Sequence, residues 1–292
     1  MWPSALKHDQ GVAWRPFAKM QALGNDFVII PALHDPFKST PDLIRHMADR
    51  RLGVGCDQLL VLEPSSSKDQ ADFRCRIFNA DGSVSGQCGN GMRCLGALVF
   101  AMGWHQGPVI RFVVDDRPIL CRRDDSGVAV GMGPASFEAR AVGFRDALPA
   151  GWPRLDVAGH PAVALSLGNP HLVVFVPNIR DPAIEALAHQ LAQDPRFADG
   201  INVGFCHAGA QDALELRVFE RGVGETPACG SGATAACLAW RHLMGHHEIG
   251  RCRIQMPGGM LVVRLDQDGP WLQGPTEVVF WGLFGEGESA MR

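Results

Sequence analysis

The stretch RIFNADGSVSGQCGNG, residues 76–91, recurs without a gap as RVFERGVGETPACGSG, residues 217–232. The arginine, the phenylalanine, the cysteine and the two glycines that follow the cysteine occupy the same positions in both segments. A repeat of this kind decides the architecture before any local pattern does, because each copy carries its own local structure. The repeat therefore predicts two homologous halves.

A second matching feature precedes each copy of the repeat. Gly24-Asn25-Asp26 leads into a run of strand-forming residues at 27–30, and Gly168-Asn169-Pro170 leads into a similar run at 171–174. Each half is therefore expected to contain short β-rich runs, then a glycine-rich turn, then a helix of small residues. The Gly/Pro-rich stretch at 131–161 is the expected boundary between the halves.

Four helices are predicted from the pattern of apolar residues. Those at 91–102 and 232–244 follow the glycine turns and are apolar on nearly all sides, which is typical of a helix surrounded by protein. A helix at 40–51 opens with a threonine cap before a proline, and a helix at 182–193 repeats this arrangement in the second half. Strands are predicted at 73–78, 109–114, 128–132, 214–219, 253–256 and 260–265.

The composition excludes several classes of protein. The chain has 292 residues, 46% of them hydrophobic and 20% charged, with a net charge of −4, which is typical of a soluble globular protein and provides no basic surface for nucleic acid. The apolar runs are far shorter than the roughly 20 residues that a membrane-spanning helix needs. The N-terminus through Trp14 has no apolar signal-peptide core. We therefore expect a cytoplasmic protein without membrane or nucleic-acid partners.

The sequence does not indicate a metal site or a cofactor site. The nine cysteines are an odd number scattered along the chain, which does not favour a disulfide framework. No CxxC pair or HExxH helix supplies the spacing of zinc ligands. Pyridoxal phosphate needs a Schiff-base lysine in a phosphate-binding setting. None of the lysines stands in such a setting: Lys7, Lys19, Lys38 and Lys68.

Cys88 and Cys229 are the candidate reactive residues. Each stands in a Cys-Gly-x-Gly turn directly before a helix, where unpaired backbone N–H groups and the positive end of the helix dipole favour a thiolate. A helix N-terminus can lower the pKa of a cysteine from about 8.5 by one unit or more. We therefore expect both thiols to titrate closer to neutral pH, where acid-base catalysis is efficient. The glycines can turn their amides towards an anion such as an α-carboxylate.

The pairing of two such turns indicates a reaction class. Inverting a carbon centre by proton transfer needs a base on one face and an acid on the other, and two similar halves supply both. A cysteine hydrolase would need one cysteine with its own histidine, so a second site would be redundant. The residues alone favour proton transfer over a redox use of the pair, which stays open. The cysteines outside the glycine turns are expected to be inert: Cys75, Cys94, Cys121, Cys206, Cys237 and Cys252.

At these residues the sequence resembles the diaminopimelate epimerase family. The resemblance runs from about Phe17 to Phe280 and implies an isomerase of lysine biosynthesis that interconverts LL- and meso-2,6-diaminopimelate at an α-carbon without a cofactor. It is carried by short motifs in order: Gly24-Asn25-Asp26-Phe27, Gly55-Cys56-Asp57-Gln58, Phe78-Asn79-Ala80-Asp81-Gly82-Ser83, Gln87-Cys88-Gly89-Asn90-Gly91, Gly168-Asn169-Pro170-His171, Asn202-Val203-Gly204-Phe205, Glu220-Arg221-Gly222 and Ala228-Cys229-Gly230-Ser231-Gly232.

The resemblance also implies a role for each of these residues. Cys88 and Cys229 would be the acid-base pair, and His171 and Glu220 would help to set their protonation states. A substrate with two amino-acid ends needs many neutral hydrogen-bonding groups and a guanidinium for its distal carboxylate. The side chains implied to contact it are Asn25, Gln58, Asn79, Asn169, Asn202 and Arg221. The backbone amides implied to hold the reacting α-carboxylate are those of Gly89, Asn90, Gly230 and Ser231.

The family fold is α/β (α+β), with two homologous domains related by a pseudo-two-fold axis. Each domain is implied to be a strongly curved, barrel-like β-sheet around a central helix. Residues 1–131 would form the domain with Cys88, residues 132–272 would form the domain with Cys229, and the C-terminal strand within 273–292 would return to the first domain. The active site would lie in the cleft between the domains, and the family also implies a homodimer that acts on a small-molecule amino acid.

The sequence departs from the family pattern at three places. Cys56 stands where phenylalanine is usual, Val84 stands where a glutamate commonly follows the serine, and residues 1–14 have no counterpart. None of these is a residue assigned to chemistry. Two alternative functions remain, a proline or hydroxyproline racemase-like isomerase of the same superfamily and a thiol redox protein that uses Cys88 and Cys229.

Overall fold

The chain divides into two compact units, unit 1 with residues 1–130 and 275–292 and unit 2 with residues 131–274. Most of the N-terminal extension, residues 1–14, and Gln87 of the first cysteine motif lie outside the described residues. Within the described ranges, every helix is too short or too polar to span a bilayer. The computed structural model describes residues 6–7, 13–66, 70–86, 88–124, 127–209, 213–245 and 250–286.

The strands of unit 1 pack around one central helix. In chain order the first elements of this unit are β1 (Leu6–Lys7), β2 (Ala13–Ala22), β3 (Asn25–Pro31), α1 (Pro41–Ala48), β4 (Gln58–Pro64), β5 (Phe73–Asn79), β6 (Val84–Ser85), α2 (Gly89–Ala101), β7 (Val109–Val114), β8 (Arg117–Asp124) and β9 (Gly127–Gly131).

Unit 2 follows the same plan and adds one short helix in the stretch that was predicted as a boundary. Its elements are α3 (Ala139–Val142), β10 (Arg154–Val157), β11 (His160–Ser166), β12 (Pro170–Phe175), α4 (Ala183–Ala192), β13 (Asn202–Ala208), β14 (Ala213–Glu220), β15 (Gly224–Thr226), α5 (Gly230–Met244), β16 (Gly250–Met256), β17 (Gly259–Asp266) and β18 (Gly269–Gln273).

The last strand, β19 (Glu277–Glu286), belongs to unit 1 although it follows unit 2 along the chain. It runs antiparallel to β2, with Glu277 opposite Gln21 at one end and Gly285 opposite Trp14 near the other. Backbone hydrogen bonds along this ladder hold the end of the chain against its beginning.

The two units share one strand pattern. In unit 1, β3 and β4 are parallel with Phe27 opposite Gln58, and β5 is antiparallel to β4 with Asn79 opposite Gln58. In unit 2, β12 and β13 are parallel with His171 opposite Asn202, and β14 is antiparallel to β13. The repeat read from the sequence therefore corresponds to a repeat of topology.

Each parallel pair of strands is joined by a helix, as parallel strands require. Helix α1 connects β3 to β4 and helix α4 connects β12 to β13. Helix α1 begins where predicted, because the Thr40 hydroxyl accepts the Leu43 N–H at 3.3 Å. It ends at Ala48, before the predicted Arg51, because Asp49 is extended and its carboxylate accepts the backbone N–H of Arg51.

Helices α2 and α5 are the central helices of their units. Helix α2 packs against β2, β3, β4 and β8, and helix α5 packs against β11 to β14 and β16 to β18. A helix that contacts so many strands of one sheet is wrapped by that sheet, so the strong curvature expected of each sheet is confirmed. Both helices begin two residues earlier than predicted, at Gly89 and Gly230, because the glycines after each cysteine are already helical.

Glycine packing holds the start of each central helix close to a strand. A Cβ added at Gly232 would lie 2.8 Å from Cγ2 of Val218, whereas the nearest atoms to a Cβ at Gly91 would be at 3.2 Å. We expect Gly232→Ala to lower the free energy of unfolding by about 1–3 kcal/mol, the usual cost of overpacking. Gly91→Ala should lower it less. Urea denaturation of both variants measures the difference, and an equal or smaller loss for Gly232→Ala would contradict this packing argument.

Candidate functional site

Both candidate cysteines cap the central helices. Cys88 is extended (φ −153°, ψ 98°), and its Sγ accepts the Gly91 N–H at 3.3 Å. Cys229 is also extended (φ −128°, ψ 113°), and its Sγ accepts the Gly232 N–H at 3.4 Å. Sulfur thus takes the place of the side-chain oxygen that usually caps a helix. The predicted position of both thiols at helix N-termini is confirmed.

Strand topology brings polar side chains to the same end of each sheet as the cysteine. The parallel strands β3 and β4 begin at Asn25 and Gln58, and the antiparallel β5 ends at Asn79. We name the resulting group in unit 1 the Cys88 half-site: Asn25, Gln58, Asn79, Cys88, Gly89 and Asn90. By the same rule unit 2 forms the Cys229 half-site: Asn169, His171, Asn202, Glu220, Arg221, Cys229, Gly230 and Ser231.

The amides of the Cys88 half-site form two hydrogen-bonded pairs. Gln58 Nε2 donates to Asn79 Oδ1 at 2.9 Å, and Asn79 Nδ2 donates to Ser83 Oγ at 3.0 Å. Asn90 Nδ2 donates to Asn25 Oδ1 at 3.5 Å. The side chains predicted to contact the substrate from unit 1 therefore lie beside one another, and each amide is held by a neighbour.

A cluster of charged residues supports Asn25, and it was not assigned a role from the sequence. Asp57 Oδ2 accepts from Asn25 Nδ2 at 2.8 Å. Arg50 donates to Asp57 at 2.7 Å and to both oxygens of Asp26, and Lys19 donates to Asp26 at 2.6 Å. Burial acts to raise the pKa of Asp26, but the hydrogen bonds from Arg50 and Lys19 outweigh it and hold that pKa well below its usual range.

Arg93 is a second residue that sequence reasoning missed. It lies one turn into α2 and is fully buried, and its Nη1 donates to Asn90 Oδ1 at 2.9 Å. Within the described part of the chain, its Nε and Nη2 have no hydrogen-bond partner. Burial lowers the pKa of Arg93 to about 10, so the guanidinium stays charged at neutral pH. The only signal in the sequence is a charged residue in an otherwise apolar helix.

Cys229 does not have the lowered pKa that its helix position predicted. Burial, together with charge repulsion from the neighbouring Glu220 carboxylate and a hydrogen bond that this carboxylate accepts, raises the pKa of the Cys229 thiol to about 12. Hydrogen bonds from Ser231 and Gly232 oppose this rise without cancelling it. The expectation was wrong because it counted the helix N-terminus and left out the loss of water around the sulfur. Cys229 is therefore a thiol at neutral pH.

His171 holds Asn169 rather than a cysteine. Asn169 Nδ2 donates to Ser231 Oγ at 3.3 Å, so Asn169 Oδ1 accepts from His171 Nε2 at 3.1 Å. This arrangement places the imidazole proton on Nε2. Burial lowers the pKa of His171 to about 3, so the ring is neutral at physiological pH.

Asn202 and Arg221 are joined through the backbone. Asn202 is 5% exposed, its Nδ2 donates to the Pro170 carbonyl at 2.8 Å, and its Oδ1 accepts the Arg221 N–H at 3.0 Å. Asn202 thus braces the turn that carries Arg221. The Arg221 side chain is exposed and uses Nη1 to donate to the Asp199 carbonyl at 2.9 Å. Its other donors can meet a carboxylate.

The remaining cysteines are buried, and none of them forms a disulfide within the described residues. Burial raises the pKa of Cys94 and of Cys121 to about 12. Cys56 also packs in the core of unit 1, while Val84 is exposed. Across the described ranges, no group of three or more His, Cys, Asp or Glu side chains could hold a metal ion.

Comparison with known proteins identifies similar chains. The family model for diaminopimelate epimerase matches residues 17–138 and 163–279. The diaminopimelate epimerase of Halorhodospira halophila is 41% identical over 271 residues, which is 91% of this chain and 93% of that protein. The diaminopimelate epimerase of Alkalilimnicola ehrlichii is 42% identical over 275 residues, which is 91% of this chain and 97% of that protein.

A solved structure supports the fold alone. The hydroxyproline epimerase of Agrobacterium vitis, with bound trans-4-hydroxy-L-proline, matches with a TM-score of 0.63 at 15% identity. The match covers 93% of this chain and 92% of that chain. Both proteins therefore share an architecture.

The buried neutral His171 predicts a dependence of stability on pH. Its pKa is near 6.5 when unfolded and about 3 when folded, so unfolding takes up a proton between these values and stability falls as pH falls through this window. We expect the wild type to lose about 2 kcal/mol more than His171→Gln between pH 6.5 and pH 5, measured by urea denaturation. The exposed His189→Gln variant is the control and should follow the wild type. Equal losses in the wild type and His171→Gln would contradict the prediction.

Proposed function

Because the chain belongs to the diaminopimelate epimerase family, we propose that it interconverts LL- and meso-2,6-diaminopimelate by moving a proton at one α-carbon, a step of lysine biosynthesis. The observation that carries the proposal is a cysteine cap at the equivalent turn of both units, Cys88 before α2 and Cys229 before α5. A reaction that uses one thiol as proton donor and another as proton acceptor explains why a cysteine occurs at both turns.

The proposed chemistry is a transfer between two thiols. The thiolate of one cysteine removes the α-proton and becomes a thiol, and the electron pair of the broken C–H bond stays on the carbon. The thiol of the other cysteine delivers its proton to the opposite face of that carbon and becomes a thiolate. Each turnover exchanges the protonation states of Cys88 and Cys229, and the reverse reaction uses the same steps with the roles exchanged.

The first turns of α2 and α5 supply groups for the reacting α-carboxylate. The first N–H groups of a helix have no partner within it, and the sulfur cap takes only the one on Gly91 or Gly232. Their positive dipole ends favour an anion and stabilise the charge that develops on the α-carbon. The backbone amides proposed to hold the carboxylate are those of Gly89, Asn90, Gly230 and Ser231.

The surroundings of Cys229 favour a starting role as the proton donor. Its pKa of about 12 keeps it a thiol, and its hydrogen bond to Glu220 gives a path for the proton when Cys229 must act as the base. We propose that Glu220 takes up this proton and that neutral His171 orients Asn169 for the substrate.

The two ends of the substrate explain the polar residues of both half-sites. Asn25, Gln58 and Asn79 offer amide donors and acceptors, and Arg221 offers the guanidinium that a distal carboxylate needs. We propose direct contacts from these residues and from Asn169, while Asn202 supports the turn of Arg221.

The proposed reaction uses no pyridoxal phosphate. Lys19 is buried and donates to Asp26 and to the Gly55 carbonyl, so it is committed to the charged cluster of unit 1. The nine cysteines form no disulfide within the described residues, which is consistent with a reducing compartment, and on this ground we propose a cytoplasmic location.

Substitution of each cysteine tests the proposal. We expect Cys88→Ala and Cys229→Ala each to lower epimerisation by about 10²–10⁴-fold, the usual effect of losing a general acid or base. The measurement follows the exchange of the α-proton in deuterated water, with reductant present, for diaminopimelate, proline and hydroxyproline. The wild type should exchange diaminopimelate alone.

The control for the cysteine variants is Cys94→Ala, which removes a buried thiol of α2 that lies outside the turn. It should keep its activity. Exchange with proline alone would favour the racemase alternative, absence of turnover with or without reductant would favour the redox alternative, and two active single variants would remove the two-thiol mechanism.

We also propose that two copies of the chain associate through β19. Consecutive apolar side chains are exposed on this strand, including Val279 at 51%, Phe280 at 44% and Trp281 at 43%. A contiguous exposed apolar patch marks an interface, and a single patch that meets its own copy gives the two-fold dimer common among soluble oligomers.

A charge placed in this patch tests the dimer. The wild type should sediment at twice the 31.6 kDa chain mass. Val279→Glu should shift it to the monomer, because burying an unpaired carboxylate at an interface is unfavourable. Leu52→Glu is the matched control, since Leu52 is an exposed apolar residue of unit 1 outside β19, at 78%. A wild type that sediments as a monomer would contradict the proposal.

A further inference from the structure

A chain of hydrogen bonds runs from α2 across the Cys88 half-site to the residue before β4. Arg93 Nη1 donates to Asn90 Oδ1 at 2.9 Å, and Asn90 Nδ2 donates to Asn25 Oδ1 at 3.5 Å. Asn25 Nδ2 donates to Asp57 Oδ2 at 2.8 Å. We name these four side chains the amide relay. Its two ends, Arg93 and Asp57, have no part in the chemistry described above.

The ends of the amide relay give it a fixed direction. A guanidinium can only donate a hydrogen bond, and an ionised carboxylate can only accept one. The two amides between them must therefore both turn their oxygen towards Arg93 and their NH₂ towards Asp57. An asparagine amide has nearly the same shape either way round, so without such ends it could present a donor or an acceptor to a ligand at the same place.

We propose that Arg93 and Asp57 are positioning residues that lock the amides of Asn90 and Asn25 in one orientation, so that the Cys88 half-site presents the same donors and acceptors to every substrate molecule. The kinetic part of this inference rests on the proposed function. The relay itself is a property of the folded chain.

The burial of Arg93 argues against a purely structural role. A buried guanidinium that lacks partners at Nε and Nη2, among the residues described, is costly to keep. The repeat supplies a comparison, because Thr234 lies five residues after Cys229 as Arg93 lies five after Cys88. Thr234 is equally buried, and its hydroxyl donates to the Gly230 carbonyl of its own helix at 2.9 Å. A small side chain is therefore enough to pack this position of a central helix.

Asp57 is held by several hydrogen bonds at the other end of the relay. Arg50 donates to Asp57 Oδ1 at 2.7 Å, and the Asp57 backbone N–H donates to Asp26 Oδ1 at 2.9 Å. Asp57 Oδ2 also accepts the Asp26 N–H at 3.0 Å. The acceptor end of the relay is thus anchored in the charged cluster.

The Cys229 half-site holds its amide by a different pair. Asn169 Nδ2 donates to Ser231, which stands where Asn90 stands in unit 1, and Asn169 Oδ1 accepts from His171. Both half-sites therefore fix a side-chain amide beside the second residue after the cysteine. The recurrence by unrelated means indicates that the fixed amide is what the site requires.

Arg93→Met and Asp57→Asn break the relay at opposite ends. Each should raise the KM for diaminopimelate about tenfold, the effect of one misdirected hydrogen bond. The kcat should change less than the KM, because neither residue exchanges a proton with the substrate. Arg93→Lys keeps a charged donor and should recover part of the loss.

A double-mutant cycle separates the relay from other effects of Arg93. In an Asn90→Ala background Arg93→Met should leave the KM unchanged, because the relay is already broken. An equal rise in KM with and without Asn90 would overturn the proposal. Arg241→Met, which removes a guanidinium from the other central helix, and Asp42→Asn, which removes an exposed carboxylate of unit 1, are the controls and should leave the KM unchanged.

Hydrogen exchange of the asparagine side chains tests the relay without turnover. The NH₂ groups of Asn25 and Asn90, followed by NMR, should exchange at least about tenfold faster in Arg93→Met or Asp57→Asn, which break the relay with side chains of similar size, than in the wild type. If exchange accelerates but the wild type does not act on diaminopimelate, the relay stands and the proposed function fails. Unchanged exchange in both variants overturns the relay.

Discussion

The first N–H groups of a buried helix must find partners, and in both units of this protein one of them finds a cysteine sulfur. The bond fixes the thiol at the positive end of a helix that its own sheet surrounds. It also explains the glycine three residues later, since a Cβ at Gly91 would lie 3.2 Å from Cys88 Sγ. The thiol, the neighbouring amides and the absence of a side chain at that position are therefore consequences of one cap.

The sheets add the rest of each half-site by topology. In each unit a parallel pair of strands is followed by an antiparallel strand, so the first residues of the pair and the last residue of the third strand lie at the same edge of the sheet. The chain then continues from this edge into the central helix. Polar residues at these ends converge although they are far apart in sequence. Asn25 and Asp57 are hydrogen-bonded across 32 positions of the chain, and Asn25 and Asn90 across 65.

Local patterns in the sequence were sufficient for much of the fold. The threonine cap of α1, the apolar central helices and the repeated Cys-Gly-x-Gly turns depend on neighbouring residues, and the structure contains all of them, with helix ends shifted by up to three residues. The pKa of Cys229 was predicted in the wrong direction, because the burial that raises it depends on the folded chain around the sulfur and not on the neighbouring residues in sequence. The role of Arg93 could not be predicted from the sequence. Asn90 was assigned only to the substrate, and the sequence does not indicate that a single arginine in an apolar helix is buried against it.

The two cysteine turns share a topology, but they differ in the charge placed next to them. In unit 1 a buried guanidinium lies one turn behind Cys88, and in unit 2 a carboxylate lies against Cys229. The two halves therefore have the same topology but a different electrostatic field at the cysteine. Exchanging the two turns would not regenerate the same molecule, so the duplicated fold now gives the same thiol two different electrostatic surroundings.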